Sequence, residues 1–158
     1  MKSIFNIIIF VLILPISSIA CTCNGVNEIK EEIKSVDIVI VATAISNEYV
    51  QIVDSSLSSS SKYIFLQKYV FVVEEQYKGR IKSDTVTIYT GPSIASCGVK
   101  FKLDEKYIIY GFKKSYYPKS MLKESPKGKN IFWAHRCTRT QPLSVEESIK
   151  IKEVLNIK

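Results

Sequence analysis

The chain has one histidine, His135, and one tryptophan, Trp133. A single imidazole excludes a zinc site built on paired histidines. It also leaves no nucleophile–base pair, since the carboxylates fall mostly on predicted helices and turns. No enzymatic activity is expected. A lone histidine in a strand is ordinarily a satisfied core or surface group, so His135 is assigned neither metal nor catalysis. Beyond the first 20 residues there is no apolar run long enough to span a membrane. Internal repeats, interdomain linkers and nucleic-acid motifs are also absent.

What is present begins with a leader. Lys2 gives a short positive region, Ile7 to Ile13 is uncharged and apolar, and Pro15 breaks the run. Ser18 and Ala20 are the small residues that signal peptidase selects. Residues 1–20 therefore read as a signal peptide, and the protein is expected to be secreted. Cleavage after Ala20 makes Cys21 the first mature residue, with a free α-amino group. The rival reading is a lipoprotein, although Ser18 stands where a lipobox normally has leucine. Lipidation would block the amine and consume the Cys21 thiol. Residues 21–158 fit one domain. The net charge is +7, falling by one when Lys2 leaves, which favours acidic surfaces or polyanions without naming one.

Val26 to Ser35 reads as a short helix, with Val26, Ile29 and Ile33 at helical spacing. Asp37 then leads a run from Ile38 to Ile45, whose β-branched density predicts a strand buried on both sides. Asp54 to Ser61 is serine-rich and reads as a hairpin tip. Tyr63, Phe65, Tyr69, Phe71 and Val73 mark one alternating strand face, closed by a turn at Tyr77-Lys78-Gly79. Further strands are predicted at Thr85–Thr90, Lys106–Phe112 and Ile131–Arg136. Residues 113–130 are a basic, turn-rich loop. Ser144 and Glu147 form a capping-box pattern opening a C-terminal helix to about Leu155. Val145, Ile149, Val154 and Leu155 are its expected buried stripe, with Ile151 outside it. Five strands with flanking helices suggest a mainly β fold, a five-stranded OB-type Greek-key barrel.

Four cysteines in an exported chain argue for disulfides and allow three pairings. A Cys21–Cys23 bridge would close a very small strained ring. The other arrangements send Cys21 and Cys23 separately to Cys97 and Cys137. Each such link is worth roughly 4 to 5 kcal/mol by chain entropy, and together they would fasten a terminus that is usually frayed. A redox role for Cys21-Thr22-Cys23 would need a reduced pair, which export disfavours.

Cys21-Thr22-Cys23, the Asp37-led strand, Tyr77-Lys78-Gly79, Ser96-Cys97-Gly98, and Cys137 followed by Pro142-Leu143-Ser144 occur in that order. Together they resemble the N-terminal, netrin-like domain of tissue inhibitors of metalloproteinases. The resemblance is closer to the short single-domain relatives of bacteria and some invertebrates, and it covers nearly all of residues 21–155. It implies a netrin-like OB barrel and the pairing Cys21–Cys97 and Cys23–Cys137. It also implies that the Cys21 α-amino nitrogen and carbonyl oxygen chelate the catalytic zinc of a target protease. That zinc belongs to the target, and no intrinsic cofactor is expected. Thr22 would enter the target's specificity pocket, and Ile94, Ala95 and Ser96 would form the second part of the wedge beside Cys97. The chain departs from the animal family in several places. A third disulfide and the separate C-terminal domain have no counterpart in these residues. Asn24 and Gly25 replace an apolar residue and a proline, and Ala95 stands at a usually polar position.

Plainer readings accompany these. The bridges can serve stability alone, and Thr22 can be an ordinary β-branched residue of an extended terminus. The basic loop can be simply solvated. Lys113, Lys114 and Lys119 within it are the candidates for polyanion binding, in a non-inhibitory secreted or lipid-anchored module.

Overall fold

The computed structural model describes Cys21, Cys23, residues 25–53, 63–118, Leu122 and 125–157. The leader, Thr22, the serine-rich stretch 54–61, and Lys119 of the basic loop lie outside the described residues. No helix among the described residues is long and apolar enough to cross a membrane.

The first helix, α1, spans Ile29–Ser35. It starts later than the apolar spacing predicts, because Gly25 takes a positive φ and Val26 is left exposed. Ile29 and Ile33 are its buried residues, together with Glu32, which accepts from the Asn27 amide at 2.9 Å. The C-terminal end of α1 is capped by Lys78. Its ammonium reaches the carbonyl oxygens of Ile33 and, at 2.6 Å, Val36. Cations suit the carbonyl end of a helix.

The strands are β1 (Ile38–Val53), β2 (Tyr63–Lys78), β3 (Thr85–Thr90), β4 (Lys106–Gly111), β5 (Ile131–Trp133) and β6 (Gln141–Pro142), followed by helix α2 (Val145–Leu155). The fold is mainly β, and the six strands form one sheet in the order β5-β3-β2-β1-β4-β6. The sixth strand is a correction to the expected five. It is two residues long, so it carries no alternation for a sequence reading to detect. Three register shifts in the β1–β2 pair bend the sheet. Just past β4, Phe112 and Trp133 exchange backbone hydrogen bonds of 2.9 and 2.7 Å. The result is a curled half-barrel.

β1 is buried on both faces along its first half. Ile38, Ile40, Ala42 and Ala44 point into the curl against Phe71, Ile88 and Phe132. Phe101 stands edge-on to Tyr69, Phe71 and Tyr107 there, with ring centroids 4.9 to 5.0 Å apart. Val39 and Val41 point outward, under Ile33 of α1 and Ile151 of α2. Each fully buried aliphatic side chain contributes about 1.5 to 3 kcal/mol.

Two predicted faces come out differently. Tyr63 and Phe65 are exposed, although Tyr69 and Phe71 on the same side of β2 are buried. β3 pairs with β2 only from Gln67 onward, and β4 pairs with β1 only up to Thr43. One face of the far end of the β1–β2 hairpin is therefore uncovered, while Ile52, Ile64 and Leu66 on the other face pack with Leu122 and Trp133. In α2 the expected stripe holds only at Leu155, and Val145, Ile149 and Val154 face out. Ile151 is 0% exposed, whereas Val145 is 73% and Ile149 52% exposed. The inward line is Glu147, Ile151 and Leu155, spaced four apart. Glu147 bonds Arg139 and Tyr110, and that polar contact sets the helix rotation. Only half of the capping box forms. Ser144 Oγ accepts from the Glu147 amide at 3.3 Å, while the Glu147 carboxylate faces inward.

Candidate functional site

β3 and β5 are the one parallel pair among the described residues, with Thr87 opposite Ile131 and Tyr89 opposite Trp133. Parallel pairing makes both chains leave the sheet at the same end. β3 runs on to Cys97 and β5 to Cys137. The two exits are stitched by Ala134 N–H donating to Tyr89 O at 3.0 Å and Arg136 N–H donating to Cys97 O at 2.9 Å.

The N-terminal segment is fastened to both exits. Cys21 is bridged to Cys97 and Cys23 to Cys137, with Cα separations of 5.2 and 5.3 Å. The bridges lie against each other, Cys21 Sγ standing 3.7 Å from Cys137 Sγ. They span 76 and 114 residues of chain. On the chain-entropy estimate each stabilises by about 4 to 5 kcal/mol, and both hold the terminus to the sheet end.

The segment after β3 is a compact turn. Ile94–Ser96 form one turn of 3-10 helix. Ser93 N–H donates to Ser96 Oγ at 3.0 Å, and Ser96 N–H returns to Ser93 O at 3.1 Å. Cys97 ends the turn at φ 58°, a left-handed conformation that costs a non-glycine residue about 1 kcal/mol. The following residue must be glycine for a different reason. A Cβ on Gly98 would sit 2.1 Å from Gly91 O. This closure leaves Ile94 65% exposed, with Ala95 also exposed and Ser96 half-buried. Cys21, Ile94, Ala95, Ser96 and Cys97 are thus brought to one end of the sheet. Thr22 has no described position.

Three residues behind this turn carry no sequence signal for it. Tyr116, from the basic loop, accepts from Gly91 N–H at 2.6 Å. Burial pushes its phenol above the ordinary tyrosine value, so it remains a neutral post. Its ring stacks on Tyr117, and both meet Trp133 edge-on. The loop is therefore anchored by aromatics at this point and is not merely solvated. Tyr49 and Gln67 join Gly91, Ser93, Ile94 and Gly98 around a cavity of about 190 Å³ beside the turn. Periodicity in β1 and β2 shows that these positions share a face but cannot say what lies against it.

His135 sits between the two halves of the site. It stacks on Phe112 at 5.4 Å, meets Tyr116 edge-on at 5.1 Å, and accepts from Cys137 N–H through Nδ1 at 3.3 Å. Burial holds its pKa below the ordinary histidine value, which keeps the ring neutral. Lys113 and Lys114 line a separate cavity with Asp37, Phe112, Tyr116 and His135.

The sulfurs of Cys21, Cys23 and Cys137 lie within 4.8 Å of one another, but all are committed to bridges and offer no thiolate to a metal. The donors that stay available at Cys21 are backbone atoms. No family model matches the chain, and no curated protein matches it.

Proposed function

We propose that this chain is a secreted inhibitor of zinc metalloproteinases with a netrin-like OB barrel. The barrel assignment draws support from the β5-β3-β2-β1-β4 order, the parallel β3–β5 pair and the Phe112–Trp133 bridge between the outer strands. β6 is an addition at the edge.

One observation carries the function. The N-terminal segment is fastened through two adjacent disulfides to the exits of β3 and β5, beside an exposed Ile94-Ala95 ridge. With the leader removed, Cys21 presents an α-amino nitrogen and a carbonyl oxygen, a pair that closes a five-membered chelate. A catalytic zinc keeps an open position for water, which such a pair would occupy. The amine must be neutral to ligate, and its ordinary pKa of about 7.7 to 8 makes deprotonation inexpensive near neutral pH. Thr22 would follow into the specificity pocket, and Ile94, Ala95 and Ser96 would lie alongside. Fastening before contact lowers the entropy lost on binding.

The test is a titration of the natively exported protein against a panel of zinc, serine and cysteine proteases. Inhibition confined to zinc enzymes, and weakened by Ile94→Asp, supports the reading. Inhibition of no zinc enzyme, or of all classes alike, contradicts it. An acyl chain found on Cys21 by intact mass would remove the chelating amine and leave a lipid-anchored binding module. A non-inhibitory polyanion-binding module is the second reading, favoured by the exposure of Lys113 and Lys114. Lys119 is its third candidate.

A further inference from the structure

Four cations converge at the opposite end of β3 from Cys97. Arg80 and Lys82 lie in the connection from β2 to β3, Lys113 follows β4, and Lys129 precedes β5. With Asn130 they line one cleft of about 260 Å³, and among the described residues no carboxylate lines it. The topology explains the convergence. The parallel register sets the start of β5 beside the start of β3, where Thr87 N–H donates to Asn130 O at 2.9 Å. The Phe112–Trp133 bridge brings the end of β4 to the same strand. Lys113 is held by its own amide, which donates to Asp37 Oδ2 at 2.7 Å, and its ammonium stands 5.9 Å from the Phe132 ring centroid.

All four side chains are exposed, and none is in an ion pair among the described residues. Lys34, Lys68, Lys106, Lys150 and Lys152 elsewhere on the surface each pair with a glutamate. Like charges gathered in a concave site without counter-charge focus a positive potential and attract anions.

We propose that this cleft binds a sulfated polysaccharide, with sulfate groups held by Arg80, Lys82, Lys113 and Lys129 and a hydroxyl or sulfate oxygen by the Asn130 amide. The cleft has room for more than one small oxyanion, and its cations come from three connections, which suits charges repeated along a chain. Among the described residues its lining has no aromatic ring on which a nucleobase could stack. It also has no large apolar side chain to enter a bilayer. Exposed apolar side chains such as Tyr63, Phe65, Val145 and Ile149 stand on the β1–β2 hairpin and α2, outside this cleft. The inference rests on the polyanion reading, with which it shares Lys113, and it does not depend on the Cys21 terminus, so it stands or falls separately from protease inhibition.

The test uses the full mature protein and a heparin octasaccharide, followed by calorimetry at several salt concentrations. The triple variant R80Q/K82Q/K129Q should weaken binding by about tenfold to a hundredfold and flatten its salt dependence. A control variant, K30Q/K34Q/K150Q, removes the same charge elsewhere and should change binding by less than about threefold. Equal losses in both variants would mean a response to net charge and would overturn the site. So would no binding of the octasaccharide. Equal binding of desulfated octasaccharide, or binding only to phosphatidylserine vesicles or to single-stranded DNA, would overturn the assignment to sulfated polysaccharide. All six positions are exposed, and circular dichroism checks that both variants are folded.

Discussion

Arg139 meets Glu147 at two points: Nε and Nη2 each stand 2.6 Å from a different carboxylate oxygen. Tyr110 adds a hydroxyl donor to the same carboxylate at 2.8 Å, and Arg139 Nη1 reaches Asn27 O at 3.0 Å. One largely buried pair thus joins α2, β4, the segment before β6 and the chain leading into α1. Burial works to raise the Glu147 pKa, but the hydrogen bonds from Arg139 and Tyr110 outweigh it, and the carboxyl stays below its ordinary range. Breaking a buried pair leaves the surviving charge uncompensated, at about 3 to 5 kcal/mol. Arg139→Ala should therefore lower the urea midpoint strongly, and the apolar double variant R139M/E147L should recover much of the loss. Because the Glu147 pKa is lowered in the fold, its stabilisation is present at neutral pH. It is lost as pH falls through the lowered value, below about pH 4. Glu147→Gln should flatten that acid limb.

The face of α2 gives a sharper contrast. Ile151→Ala removes a fully buried side chain and should cost about 2 to 5 kcal/mol. Ile149→Ala removes a half-exposed one and should stay within about 0.5 kcal/mol. Denaturant unfolding of the two variants reads the difference directly, and equal effects would contradict the helix orientation.

Gly98→Ala should deform the Cys97 turn, since the added Cβ meets Gly91 O with no flexible neighbour to yield. A loss of at least about 2 kcal/mol is expected. The same variant should speed reduction of Cys21–Cys97 relative to Cys23–Cys137, as followed by mass spectrometry under limiting dithiothreitol.

His135 is the only histidine, so its proton NMR titration is unambiguous. Burial lowers its pKa, so the folded protein binds the proton less readily than the unfolded chain. Stability is then intact above about pH 6.5 and is lost as pH falls from there through the lowered value. The titration should show a midpoint below about 6.5. A midpoint at or above it would mean that the ring is solvated or has gained an anionic partner.

How much of this was legible in the sequence depends on the kind of contact. Continuous apolarity from Ile38 to Ile45 marked a strand with two buried faces, and this holds through Ala42, where both sides meet core, but not at Ile45, which is exposed past the last β4 partner at Thr43. The β3 span, Thr85–Thr90, was legible from β-branched alternation bounded by Gly91-Pro92. Ser144 was legible as a cap because its oxygen serves a local amide. The orientation of α2 was not, because a distant arginine sets it and hydrophobic spacing carries no trace of that. The parallel β3–β5 pairing, which delivers Cys97 and Cys137 to one end, is likewise a long-range fact with no local signature. Tyr77-Lys78-Gly79 illustrates both cases. It read as a turn, yet Tyr77 packs under the helices and Lys78 caps α1. Gly79 turns the chain at φ 96°, where a Cβ would meet Asp37 O at 2.7 Å.

The proposed inhibition rests on the free α-amino group of Cys21. The most direct measurement compares the mature protein with a form carrying one additional alanine before Cys21, both titrated against an inhibited zinc metalloproteinase. Disulfide mapping first checks that both retain Cys21–Cys97 and Cys23–Cys137. Loss of inhibition by at least about a hundredfold in the extended form, with bridges and unfolding midpoint unchanged, is the expected result. Undiminished inhibition by the extended form would contradict chelation through the terminus.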